Sequence, residues 1–132
     1  LLFLNTDFTT VGDAGGLRGS VTAGSLHVSL HTADPGEAGD QTTSETTYTG
    51  YARVAVARSG AGWTRTGNSI SPAAAITFAA GTGGSGTVTH FGVGAASTGA
   101  GKLLYKGTVT PNIVVGNGIT PQLTTASTVT ED

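Results

Sequence analysis

Leu26-His27-Val28-Ser29-Leu30-His31 alternates apolar and polar residues without a break. A period of two places Leu26, Val28 and Leu30 on one side of an extended chain and His27, Ser29 and His31 on the other, the pattern of a β-strand with one face in a core. Tyr51-Ala52-Arg53-Val54-Ala55-Val56-Ala57-Arg58 repeats it, with Val54 and Val56 inward and Tyr51 and Arg53 on the opposite face. Gly60 and Gly62 break this strand before Trp63-Thr64-Arg65, and further strands are expected at Ser69–Ser71 (stopped by Pro72), Ala75–Phe78, Thr87–Val93, Lys102–Thr110, Asn112–Val115 and Gln122–Val129. Asn117-Gly118 reads as a hairpin signal, because both residues tolerate positive φ. Gly81–Gly86 reads as a flexible hairpin tip.

Helix signals are few. Leu1, Leu4 and Phe8 have helix-like spacing, but the segment is short and Gly12, Gly15 and Gly16 follow it. Isolated helices of this length are marginal. About eight short strands separated by turns, with no helix-length crossovers, predict an all-β antiparallel sandwich of jelly-roll type. The expected organisation is an extended N-terminal arm over residues 1–20 and the sandwich over 21–132. The arm's apolar residues have no evident partner in the sandwich, so a partner protein is expected to cover them.

Composition narrows the function classes. The 132 residues include 22 Gly, 24 Thr and 17 Ala, with 11% charged residues and a net charge of −2. Low charge argues against disorder, which needs weak hydrophobicity and strong charge together. Six basic against eight acidic residues exclude a nucleic-acid binder that works mainly by charge. No Cys excludes a disulfide scaffold and a thiolate metal site. No apolar run reaches the length of a membrane-spanning helix, and no signal peptide is visible. The chain begins at Leu1 rather than Met, which points to processing or to preceding residues. Removing Ala from the hydrophobic set leaves 32 large residues, enough for a thin sandwich core.

No pattern predicts catalysis. His27 and His31 lie four residues apart on one strand face, roughly 13 Å at ~3.3 Å per residue, too far to share a metal ion directly. His90 has no local acid, so the three His are expected as polar surface or interface residues. The nucleophile elbow of hydrolases, Gly-x-Ser-x-Gly, is absent. Asp34, Glu37 and Asp40 lie in the long polar stretch Thr32–Gly50; their spacing does not match an EF-hand, and a solvated loop is the simpler reading. Gly81–Gly86 lacks the Lys of a phosphate-binding loop. No cofactor and no metal are expected. Tyr48, Tyr51, Trp63 and Arg53, around that loop, are the residue types enriched at interface centres, with a core position the other reading for Trp63.

The strings from Leu26 to Glu37 and from Tyr48 to Val56 resemble a family of tailed-bacteriophage structural proteins often labelled phage tail fibre protein. So do Thr87–Gly94, Leu103-Leu104-Tyr105 and Gly107–Pro111. The chain is also similar to the cement (decoration) protein of a short-tailed Bordetella phage. That resemblance implies a jelly roll on the outer surface of the capsid, assembled in the bacterial cytoplasm. It further implies homodimers bound to an HK97-like major capsid protein, no enzymatic activity, and stabilisation of the shell against internal DNA pressure. The alternative it leaves open is a tail or tail-fibre component used in host attachment. Expected contact residues are Leu1, Leu4 and Phe8 of the arm, together with Arg18, Tyr48, Tyr51 and Arg53.

Overall fold

The computed structural model describes residues 2–4 and 24–130. Among these the chain is all-β, with one 3₁₀ turn at Leu2–Leu4 and no α-helix. Nine strands follow in order: β1 Ser25–His31, β2 Val54–Ala57, β3 Trp63–Thr66, β4 Ser69–Pro72, β5 Ile76–Thr77, β6 Ser85–Gly94, β7 Leu103–Gly116, β8 Gln122–Leu123 and β9 Val129–Thr130. All strand pairs are antiparallel. One sheet has the order β2-β1-β6-β7, and a three-stranded sheet β3-β4-β9 and a two-stranded sheet β5-β8 complete the fold.

The expected antiparallel sandwich is what forms. Leu26, Val28 and Leu30 point into the core with Val88, Phe91 and Val93 of β6, opposite Trp63, Ile70, Ile76 and Leu123 of the smaller sheets. A void of about 10 Å³ lies between the layers, lined by Val28, Trp63, Ile76, Phe91 and Val93 among others. At most one water fits such a space.

Three local expectations are corrected. Lys102–Thr110 and Asn112–Val115 are one strand, β7, carried past a cis Thr110–Pro111 bond. The pairing steps from His90↔Thr108 to Val88↔Ile113, so residues 109–112 form a wide bulge opposite Thr89. A Pro and a bulge on an edge strand interrupt the ladder, which discourages strand-to-strand aggregation. Asn117-Gly118 does make a turn, with Ile119 N donating to Gly116 O (3.2 Å), but it links two sheets rather than a hairpin, because β7 pairs with β6 and β8 with β5. Gly81–Gly86 is a packed crossing rather than a free tip. Gly81 N donates to Ile119 O, and a Cβ at Gly81 would lie 2.1 Å from Gly116 O.

The arm expectation also changes where it can be seen. Phe3 is 2% exposed and packs edge-on against Trp63 (ring centroids 4.4 Å apart) and tilted against Tyr105 (5.1 Å). Leu4 packs on the same core. A single aromatic turn therefore closes one end of the chain's own sandwich, whereas Leu1, Phe8, Arg18 and the rest of the proposed arm beyond Leu4 lie outside the described residues. Phe3→Ala is expected to lower stability by about 3 kcal/mol, the low end for deleting a buried aromatic ring. Urea unfolding followed by Trp63 fluorescence measures it, and an unchanged midpoint would show that the turn contributes nothing.

Candidate functional site: a polar clamp behind the main sheet

The alternation in β1 is real, but its second face is not at the surface. Ser29 and His31 are both 0% exposed. The segment Gln41–Thr46 folds back along β1: Thr32 N donates to Ser44 O (2.8 Å), Thr46 N donates to Leu30 O (2.9 Å), and Glu45 bridges His31. Ser29 pairs with Gly92 and His27 with Gly94 on β6. Cross-strand partners share a face, so these glycines leave a trough behind the sheet. A Cβ at Gly92 would lie 2.8 Å from both His31 Nε2 and Ser29 Oγ, and one at Gly94 would lie 2.1 Å from Gln41 Cδ. His31 and Gln41 fill that trough, which corrects the expectation of surface histidines at position 31.

Arg53 is the hub. Its Nε donates to Glu45 Oε1 and its Nη2 to Glu45 Oε2, both at 2.7 Å, a two-pronged pair whose side chains are 3% and 15% exposed. Nη1 donates to Ala96 O (3.0 Å), and Nη2 also donates to Gly99 O (2.8 Å). Guanidinium geometry suits this double duty, because its donors form a rigid planar fork. The Glu45 carboxylate holds the Arg53 guanidinium above its ordinary value. Tyr51 Oη donates to Glu45 Oε1 (2.8 Å) and accepts from Leu30 N (3.1 Å), while its ring stacks on Phe78. Burial pushes the Tyr51 hydroxyl well above the usual phenol range, so it remains a donor.

Gln41, 0% exposed, ties the same two loops. Its backbone N donates to Gly101 O (3.0 Å), its Oε1 accepts from Ala96 N (2.9 Å), and its Nε2 reaches His27 O (3.4 Å). His31 Nδ1 lies 2.8 Å from Thr43 O, and a carbonyl can only accept, so Nδ1 carries the proton. Nε2 then accepts from Ser29 Oγ at 2.8 Å. Burial pulls the imidazole below its ordinary value, in keeping with the neutral ring. Ser29 and His31 are within the reach of a nucleophile and base, yet in this conformation the hydroxyl is covered.

The acidic residues serve the loop itself. Asp34 Oδ1 accepts from Lys106 Nζ (2.7 Å) and Gly36 N (2.9 Å), which hold its carboxyl below the usual range; Glu37 lies 3.6 Å from the same lysine. The hydroxyl and N–H of Thr42 do the same for Asp40. No group of three potential ligands is positioned to hold a metal ion among the described residues.

Of the expected contact residues, Tyr48 is 3% exposed with its hydroxyl on Ala79 O (2.8 Å), and Tyr51 and Arg53 direct their polar atoms inward. They shape the surface loops from beneath. Sequence pattern alone does not mark Gln41, Glu45, Ser29 and His31 as a unit; the signal it offers is an Arg53 and Glu45 charge pair beside a strand whose second face, His27, Ser29 and His31, is polar. A separate open groove of about 850 Å³ runs between β7 and residues 122–128, past Val109, Pro111 and Ile113, with no charged side chain in its lining.

The chemistry-bearing side chains of this sandwich brace its own loops. Residues 16–130 match the family described as Podophage GP4 fiber I protein gp80, and the chain belongs to that family. It is a phage structural protein of fibre-like type. No curated protein matches the chain.

Proposed function

We propose that the protein acts by adhesion alone, as a cement (decoration) protein on the outer surface of a podophage capsid, bound to the major capsid protein and to a second copy of itself. The observation that carries this reading is the internal use of its reactive groups: Arg53, Glu45, Tyr51 and both ring nitrogens of His31 are committed to holding loops. A compact sandwich of this kind is rigid and presents fixed loop surfaces, and many copies binding weakly reinforce a shell together. The family description favours a second reading, a component of a fibre used in host attachment. Against a fibre shaft stands the sequence, which lacks heptads and internal repeats.

Quantitative gel densitometry of purified particles of the parent phage separates the two. Copies in the hundreds per particle, released together with loss of shell stability, are the expected result. A handful of copies overturns the cement reading in favour of the fibre. Turnover of any cell-wall or capsular polysaccharide by the isolated protein overturns adhesion as its sole activity.

A further inference from the structure

We propose that His31 is an acid-sensitive latch, and that charging its imidazole loosens Gln41–Thr46 from β1 and thereby frees the 95–101 loop. The inference stands on the fold and holds for either virion position. The ring is sealed from solvent at 0% exposure, with β1, β6 and the Gln41–Thr46 segment around it. In the neutral ring Nδ1 donates to Thr43 O and Nε2 accepts from Ser29 Oγ. A second ring proton would oblige Ser29 to turn its hydroxyl around, and would add a positive charge where water cannot solvate it.

The charged and titratable groups that face the ring decide whether that charge is compensated. Arg53, from the stretch before β2, and His90, from β6, oppose it; Glu45, from the covering segment, favours it. Glu45 is already engaged: Oε1 accepts from Arg53 Nε and Tyr51 Oη, and Oε2 accepts from Arg53 Nη2. From there it favours the charge only through space; a direct contact with His31 would take it from Arg53, and Arg53 is what holds Ala96 and Gly99. Either route loosens the same two loops.

Burial lowers the folded-state value of His31 from the ordinary 6.5. The unfolded chain therefore binds the proton first, so the stabilisation is present above about pH 6.5 and is lost as pH falls from there through the folded value. Asp34 and Asp40, lowered from 3.8, act in a separate and more acidic window.

The test is an NMR titration of the whole protein, following the His31 ring carbon and the amides of Thr46 and Ala96, in parallel with His31→Gln. Gln keeps a donor for Thr43 O and an acceptor for Ser29 but cannot be charged. In the native protein both amides are expected to lose at least tenfold exchange protection in step with ring titration below the ordinary His range, whereas His31→Gln keeps protection through that window. Ring titration that leaves both amides unmoved would overturn the latch. So would loosening of His31→Gln at the same pH as the native protein. Should His31→Gln not fold, the native titration alone decides.

Discussion

Arg53→Ala is expected to lower the free energy of unfolding by about 3–5 kcal/mol, the range for removing one partner of a buried ion pair. The loss is not the attraction of the pair alone. Glu45, 15% exposed, would be left as an uncompensated carboxylate beneath the loops, and the carbonyl of Ala96 would lose its guanidinium donor while that of Gly99 would keep only Gly101 N. A matched control distinguishes these effects. Replacing both members by apolar residues of similar size, Arg53→Met with Glu45→Leu, removes the stranded charge and is expected to recover much of the stability but not the loop geometry. Urea unfolding gives the energies, and the amide shifts of 95–101 report the loop. An Arg53→Ala protein within 1 kcal/mol of the parent would show that the pair is solvated in solution.

Phe78→Ala is the second large effect, again about 3–5 kcal/mol. Phe78 is 1% exposed and follows β5, with its N–H on Pro121 O (3.0 Å). Its ring lies parallel to that of Tyr51 at 6.2 Å, and Tyr51 in turn meets Tyr48 edge-on at 5.5 Å. Removing it opens a cavity below Tyr51, the aromatic that joins Phe78 to Glu45 of the clamp. Phe78→Ala is therefore expected to loosen the Tyr51 to Glu45 contact as well as the core, whereas Leu123→Ala on neighbouring β8 should cost stability without moving the Glu45 environment. Equal effects of both variants on the clamp would remove the special role of the Tyr51–Phe78 stack.

The layers of the fold were legible in the sequence because the period-two pattern is a local property. Leu26–His31 marks β1 to within one residue, and Val54 and Val56 mark β2, although the alternation that contains them begins three residues earlier, at Tyr51. What covers a strand is not local. Ser29 and His31 read as outward because polar residues opposite an apolar face usually meet water, and only the return of Gln41–Thr46, more than ten residues later, buries them. The glycines that make room, Gly92 and Gly94, read as ordinary strand residues until β6 is placed beside β1. The docking of Phe3 is hidden for a related reason: a short apolar N-terminal segment has no pattern that names its partner, and Trp63 and Tyr105 lie 60 and 102 positions further along. The types of Tyr48, Tyr51 and Arg53 mark them as residues with interactions to make, but type does not tell which way a side chain turns.

The loops held by Arg53 have a kinetic consequence. Arg53 reaches carbonyls 43 and 46 residues away, and Gln41 reaches an amide 55 residues away. No local segment can form these bonds early, since chain closure over such separations comes before any reward. The exterior loops should acquire their shape only when the sheets have docked, so nascent chains would show their finished outer contour late and nearly all at once.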